Sequence, residues 1–234
     1  MQYRRINPVN LVGETLDITR SVYIPCLIIA SLGFLITLAS NLLSNLPIIS
    51  PILFTIFTIL VILELLWKGA NIVYLYRHFS RNPISIKEAF NLSIKKIFKL
   101  FLASFIILLI FFVGLILFFF PGFYMIFRLL PFLYSIVIED LSALDGISRS
   151  WQLTKGHWWL IFLSSLLIGI VLLIPVIILH FILLFLGIPE QIANIVSDIL
   201  SFLTDPFFSV YGYLLYVNLK EDYNERLSNH QLNH

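Results

Sequence analysis

The sequence predicts an all-α integral membrane protein, a bundle of six membrane-spanning helices with both termini in the cytoplasm. Of its 234 residues, 59% are hydrophobic and only 12% are charged, whereas a soluble domain carries about 25% charged residues. Residues 21–63, 100–127 and 156–189 contain no Asp, Glu, Lys or Arg. Each stretch exceeds the roughly 20 residues that a helix needs to cross about 30 Å of hydrocarbon. Their continuous apolar character favours helices over the alternating strands of a membrane barrel.

The breaks in these apolar stretches divide them into individual crossings. The crossings are predicted at residues 23–43, 51–76, 100–120, 121–138, 158–184 and 193–218. The external reversals fall at 44–50, at Pro121-Gly122 and at 187–189, because proline removes a backbone donor and glycine tolerates a reversal. We interpret the first crossing as an uncleaved helix rather than a signal peptide, because it is long and lacks a small-x-small cleavage site.

Lysine and arginine residues lie on one side of this predicted topology. They precede the first crossing, separate the second from the third and the fourth from the fifth, and follow the sixth, whereas the other three connections contain none. Cytoplasmic loops carry the excess of Lys and Arg, so both termini are predicted to be cytoplasmic. Residues 1–222 form one polytopic domain in this interpretation, and the polar residues 223–234 form a disordered tail.

A short segment with an acidic residue precedes the first, third and fifth crossings. The second and third of these segments begin with Ser85-x-x-Glu88 and Ser142-x-x-Asp145, and the first contains Glu14. A serine followed three residues later by an acid is typical of a capping box at a helix N-terminus. The pattern indicates three repeats, each an interfacial helix followed by a transmembrane hairpin.

The second segment has a lysine-rich face that predicts contact with the membrane surface. Lys95 and Lys99 lie largely opposite its apolar residues, and Lys95, Lys96 and Lys99 are the predicted headgroup contacts. An amphipathic helix of this kind binds anionic lipid headgroups. The alternative is a solvated helix that leads into the third crossing.

Four charged residues are predicted to lie near the middle of the membrane, where charges are costly and mark function. At 1.5 Å per residue, Glu64, Arg128 and Asp205 lie about 15–20 Å from the cytoplasmic ends of their crossings. Lys68 follows Glu64 by one helical turn. These residues predict a mutually paired cluster, which either holds the helices together or lines a path for a solute or protons. Pro206 follows Asp205 and is typical of the broken helices of transporters.

Three further features have two interpretations each. His180 is predicted to be a packing residue rather than a ligand, because no Cys or acidic residue accompanies it at ligand spacing. Glu190, Asn194 and Asp198 share one face and mark either a hydrated outer end of the sixth crossing or a weak cation site. Cys26 lies in the first apolar stretch and is interpreted as a structural thiol.

The second half of the chain contains motifs that resemble a known family. They are Pro121-Gly-Phe-Tyr-Met-Ile-Phe-Arg128, Ile138-Glu139-Asp140, Arg149-Ser150-Trp151-Gln-Leu-Thr154-Lys155-Gly156-His-Trp158 and Leu214-Leu215-Tyr216-Val-Asn218-Leu219-Lys220. This pattern is similar to that of the membrane domain attached to some glycerophosphodiester phosphodiesterases and of related six-helix inner-membrane proteins of bacteria and archaea. The resemblance implies a six-helix domain in a bacterial plasma membrane. It does not imply phosphodiesterase chemistry, which resides in a separate soluble domain of that family.

The Arg149–Trp158 motif has a local physical interpretation of its own. Gly156 suits a left-handed helix cap and Lys155 suits the negative end of the helix dipole. Trp151 and Trp158 suit the headgroup region, where indole rings are most stable. The motif, with Arg149, Ser150 and Thr154, is therefore either a membrane anchor and elbow or a ligand site.

The sequence favours a protein without catalytic function. It lacks Gly-x-Ser-x-Gly, His-Glu-x-x-His, a glycine-rich phosphate loop and Cys-x-x-Cys, so we expect neither a cofactor nor a metal, and no nucleic acid. The first hypothesis is a protein that binds membrane lipids, another membrane protein or a second copy of itself. The alternative is a small transporter of a lipid-like or amphipathic solute, and an intramembrane enzyme ranks third. A hydrated mid-membrane cavity favours transport, whereas a dry and fully paired bundle favours the binding protein.

Overall fold

The computed structural model confirms the all-α prediction. The structure describes residues 7–43, 51–117 and 119–232, which form helices and no strand. These described helices are α1 (Pro8–Leu43), α2 (Pro51–Phe79), α3 (Ile86–Ile94), α4 (Ile97–Leu117), α5 (Phe119–Leu129), α6 (Phe132–Glu139), α7 (Ala143–Leu153), α8 (Trp158–Phe185) and α9 (Glu190–Leu232).

Five segments of the described chain are long and apolar enough to cross a membrane. They are Pro8–Asn41, Thr55–Phe79, Ile97–Gly114, Gly122–Glu139 and Trp158–Phe185. They overlap the first five predicted crossings. The sixth predicted crossing, 193–218, lies within α9 and is not among them, because Asp198, Asp205 and several tyrosines make that helix more polar. The protein therefore crosses the membrane several times, and the count of six stays a prediction.

Two of the three predicted interfacial segments are separate helices. Ser85 caps α3 by accepting from the Glu88 amide at 3.2 Å, and Ser142 caps α7 by accepting from the Asp145 amide at 3.2 Å. In α7 the carboxylate of Asp145 also accepts from the Ser142 hydroxyl at 2.6 Å. The segment around Glu14 differs, because it is continuous with the first crossing in α1.

Helices α3 and α7 also contact the preceding crossing in the same way. Eight residues after its cap, each helix carries a fully buried serine. Ser93 donates to the carbonyl of Leu66 in α2 at 2.9 Å, and Ser150 donates to the carbonyl of Arg128 in α5 at 3.0 Å. Helices α3 and α7 therefore each combine a serine cap with one buried serine that donates to the carbonyl of a neighbouring helix.

The helix ends follow the chemistry of glycine and proline, with one correction. At the end of α8, Gly187 has φ +76°, and the amides of Gly187 and Ile188 bond back to Leu184 and Leu183 in a Schellman motif. The predicted reversal at Pro121-Gly122 is wrong, because both residues lie inside α5. Proline is tolerated in the first turn of a helix, where its missing N–H has no partner to lose. The predicted reversal at 44–50 lies outside the described residues.

The fourth predicted crossing is two helices rather than one. Pro131 separates α5 from α6, because its ring cannot continue the hydrogen-bond ladder of α5. The polar tail also differs from the prediction of disorder, since α9 continues to Leu232. Arg226 stabilises this extension, with Nε 2.8 Å from the Asp222 carboxylate and Nη1 donating to the Lys155 carbonyl at 3.2 Å.

Helices α1, α2 and α9 form the centre of the bundle, and α4 and α8 lie at its edge. Helix α9 packs against α1, with contacts at Tyr23 and at Asn41. At one close approach, a Cβ on Gly212 of α9 would lie 2.1 Å from the Tyr134 hydroxyl of α6. The outer faces of α4 and α8 expose many large apolar side chains, as expected of surfaces that contact lipid.

The approach of α9 to α6 predicts a strong effect of one methyl group. Gly212→Ala should lower the melting temperature in mild detergent, because the Tyr134 ring stacks on Tyr216 and cannot yield freely; overpacking of this kind costs about 1–3 kcal/mol. Gly169→Ala in α8 is the matched control, since a Cβ there meets nothing within 4 Å. Equal melting temperatures for the two variants would contradict this packing.

Candidate functional site

The structure divides the four predicted mid-membrane charges between two places. Lys68 Nζ lies 2.9 Å from Glu64 Oε1, and both residues line a cavity together with Asp205. Arg128 is not part of this group. Its side chain points instead to Trp151, Thr154 and Tyr124. The predicted four-residue cluster is therefore wrong as to Arg128.

Arg128 is the centre of a dense set of contacts. Only 6% of the residue is exposed. Nε donates to Thr154 Oγ1 and Nη1 to the Tyr124 hydroxyl, both at 2.9 Å, while Nη2 donates to the Trp151 carbonyl. The guanidinium carbon lies 4.1 Å from the centre of the Trp151 ring, a cation–π geometry. A buried guanidinium is thus satisfied by neutral oxygens and an aromatic face, without a carboxylate among the described residues.

Glu139 is a second centre, at the end of α6. One carboxylate oxygen accepts from the Tyr216 hydroxyl at 2.6 Å and lies 3.2 Å from Lys220 Nζ. The other lies 3.0 Å from Arg149 Nε. The carboxylate therefore joins α6, α7 and α9. We call the two centres together the motif network: Tyr124, Arg128, Glu139, Arg149, Ser150, Trp151, Thr154, Tyr216 and Lys220.

The lysines predicted to contact lipid headgroups differ in their surroundings. Lys96 Nζ donates to the Val137 carbonyl at 2.8 Å and lies 3.0 Å from the Asp140 carboxylate, and Lys99 Nζ lies 3.1 Å from it. Hydrogen bonds from both lysines hold the pKa of Asp140 below its usual range. Lys96 and Lys99 thus stabilise the C-terminus of α6, whereas Lys95 is exposed, and contact with headgroups stays a prediction.

The remaining residues of the Arg149–Trp158 motif form the turn into α8. Gly156 has φ +83°, as predicted for a left-handed cap. Trp158 Nε1 donates to the Tyr124 carbonyl at 3.3 Å, and its ring stacks on Phe162 at 5.3 Å. The side chain of Lys155 is exposed. This part of the motif has the geometry of an elbow.

A cavity of ≈ 370 Å³, which we call the inner cavity, lies between α1, α2, α6 and α9. Its polar lining comprises Thr37, Glu64, Lys68, Asn71, Asp198, Ser201, Asp205 and Ser209, together with the Trp67 indole. Trp67 Nε1 donates to Glu64 Oε2 at 2.7 Å. Gly33 makes room for this indole, because a Cβ there would lie 2.7 Å from Trp67 Nε1.

Asn71 is a residue of this cavity that the sequence interpretation missed. It is 1% exposed, and neither its side-chain oxygen nor its nitrogen has a hydrogen-bond partner in the part of the chain that the structure describes. A buried amide without partners costs about 1–3 kcal/mol. Its position three residues after Lys68, on the Glu64 face of α2, was the available signal.

A second concavity, the outer groove, continues from the inner cavity toward the start of α9. The two share Asp198 and Ser201, and the groove also contains Glu190 and Asn194, which the sequence placed on one face. Asp198 accepts from Asn41 of α1 at 2.8 Å. His180 lines the groove and pairs with Ser197 at 3.0 Å, as expected of a satisfied histidine.

Comparison confirms the family resemblance that the motifs indicate. Residues 112–218 match the model of the membrane domain of glycerophosphoryl diester phosphodiesterase. The match spans a little under half of the chain and contains the whole motif network except Lys220, whereas Glu64, Lys68 and Asn71 precede it. No significant match was found among curated proteins or among solved structures.

The described residues contain no group of three or more His, Cys, Asp or Glu side chains with the geometry of a metal site. The polar groups of the inner cavity are hydrogen-bonding and ionic groups. They suit an organic polar group with donors and acceptors of its own.

The geometry of Arg128 predicts that its loss is not repaired by removing an acid. Arg128→Leu should destabilise the protein by about 3 kcal/mol or more, because hydrogen bonds to charged groups contribute about 1.5–3 kcal/mol each. A second change, Asp205→Leu or Glu64→Leu, should restore nothing, since neither carboxylate contacts the guanidinium. Thermal unfolding in mild detergent measures this, with exposed Lys155→Leu as the control. Restoration by either second change would contradict the contacts of Arg128.

Proposed function

We propose that this integral membrane protein binds the polar group of an amphipathic solute in the inner cavity. The observation that carries the proposal is the cavity itself. A mid-membrane bundle held together only for stability pairs its polar groups with one another, because hydrocarbon offers no alternative partner. Here Asn71 is buried without a partner among residues 7–43, 51–117 and 119–232, and it lines the same cavity as the charged Glu64, Lys68 and Asp205.

The dimensions and lining of the cavity support a ligand of this class. Its volume falls at the lower end of the range of about 300–1,000 Å³ that is typical of small-molecule sites. Phe34, Phe202 and Phe208 supply an apolar wall in addition to the polar groups. A molecule with a small polar group and an apolar portion would satisfy both surfaces. The proposal includes no catalytic step.

Transport is a second candidate, supported by the path that the outer groove forms with the inner cavity. The shared Asp198 and Ser201 place polar groups continuously along α9. Pro206 lacks the N–H that would bond to the Phe202 carbonyl, and Tyr23 of α1 donates to the adjacent Leu203 carbonyl at 3.0 Å. Toward the motif network, Tyr134 lines the cavity and stacks on Tyr216 at 5.9 Å. Transport would require these two rings to separate.

We also propose a plasma-membrane location with both termini in the cytoplasm. Basic residues from the predicted cytoplasmic connections meet at one end of the bundle, where Arg149 and Lys220 bind Glu139 and Arg226 contacts the Lys155 carbonyl. The outer groove lies at the start of α9, at the predicted external end. This distribution of charge supports an opening toward the outside.

Filling the junction of cavity and groove should prevent binding. Ser201→Phe places a ring where the two meet, and native mass spectrometry of the protein purified in mild detergent should show at least a tenfold loss of co-purifying amphiphile. Ser31→Phe in α1 is the matched control, because Ser31 is exposed away from the cavity and bonds only to its own helix. Equal occupancy in both variants would contradict the proposal.

A further inference from the structure

The inner cavity and outer groove contain more negative than positive groups. Glu64, Asp198 and Asp205 line the inner cavity against one ammonium, that of Lys68. Glu190 adds a further carboxylate at the groove. Clefts lined by one sign of charge concentrate ions of the opposite sign. The inner cavity and the outer groove therefore favour a bound cation over a bound anion.

The three carboxylates of the inner cavity differ in how far they are satisfied. Glu64 contacts Lys68 and accepts from Trp67, and Asp198 accepts from Asn41. Asp205 has no direct hydrogen-bond donor within the described part of the chain, although it faces the same cavity. A carboxylate inside a membrane protein that lacks direct donors is costly. Asp205 is thus the group that a bound cation would stabilise most.

Asn71 defines what else the ligand must offer. Its Oδ1 can accept and its Nδ2 can donate; both atoms are buried, neither has a partner among the described residues, and the residue lines the cavity. An ammonium with N–H groups can donate to Oδ1 while it pairs with Asp205, and an adjacent oxygen can accept from Nδ2. A quaternary ammonium has no N–H and would leave Oδ1 unpaired.

We infer, on the basis of the proposed binding function, that the ligand carries a primary ammonium with a neighbouring oxygen, held by Asp205 and Asn71. The same chemistry occurs in a free amino alcohol and in an aminoethyl lipid headgroup. The apolar wall of Phe34, Phe202 and Phe208 contacts the rest of the molecule in either case.

The test compares matched probes on the full chain in mild detergent. Isothermal titration measures 2-aminoethanol, choline and ethylene glycol, and native mass spectrometry measures phosphatidylethanolamine, phosphatidylcholine and phosphatidylglycerol. In at least one series, the probe with the primary ammonium should bind at least tenfold more tightly than the other two. These probes are 2-aminoethanol in the first series and phosphatidylethanolamine in the second. Preference in the first series identifies a free amine, and preference only in the second identifies a lipid headgroup; both support the inference.

Two variants assign the binding to these residues. Asp205→Asn and Asn71→Leu should each weaken the preferred probe at least tenfold, while Asp17→Asn, an exposed acid on α1, should change nothing. Asn71→Leu should also raise the melting temperature of the ligand-free protein, because it removes unpaired polar atoms. A lower melting temperature would show that Asn71 is a structural residue and overturn the inference.

Absence of any preference for the primary ammonium would likewise overturn the inference. In that case, the proposed binding function would still stand if the wild type co-purified with an amphiphile of another charge and Ser201→Phe did not. Equal amounts of co-purifying amphiphile in Ser201→Phe and Ser31→Phe would refute the proposed function itself. The two failures are therefore distinguishable.

Discussion

The structure depends on one constraint, that a polar group surrounded by hydrocarbon must find its partners inside the protein. Arg128 shows the constraint at its strongest, because a permanently charged group is 6% exposed. The chain satisfies it with the Thr154 and Tyr124 hydroxyls, the Trp151 carbonyl and the Trp151 ring. These contacts in turn determine where α7 lies against α5. Glu139 does the same for α6, α7 and α9.

The same constraint distinguishes the motif network from the inner cavity. In the network every charged side chain has direct partners, and Tyr216 of the network stacks on Tyr134, which lines the cavity. In the cavity, Asn71 has none and Asp205 has no direct donor among the described residues. A satisfied network stabilises a particular arrangement of helices, whereas unsatisfied groups beside an open volume favour a bound molecule. The family match contains most of the network, and the cavity is completed by α1 and α2, which precede it.

The sequence predicted features that depend on local physics and missed those that depend on how helices meet. Apolar length predicted the membrane segments, and the serine–acid spacing predicted the caps of α3 and α7. Depth along the chain placed Arg128 and Asp205 at similar levels but gave no lateral position, so the prediction that Arg128 belongs to the cluster was wrong. The reversal predicted at Pro121 was wrong because proline ends a helix from within but is tolerated in its first turn, where Pro121 lies in α5. The role of Asn71 could not be predicted, because the sequence does not show whether an amide in an apolar helix finds a hydrogen-bond partner on a neighbouring helix.

Access of a water-soluble reagent to the inner cavity and outer groove tests this account most directly. A cysteine in place of Ser201, where the cavity and groove meet, should react with a membrane-impermeant maleimide added outside intact cells. The native Cys26 is fully buried and provides an internal unreactive reference. We expect Ser201→Cys to label at least tenfold faster than the wild type. Labelling no faster than that of Cys26 would show that the inner cavity and outer groove are closed or open toward the cytoplasm, and would contradict the account.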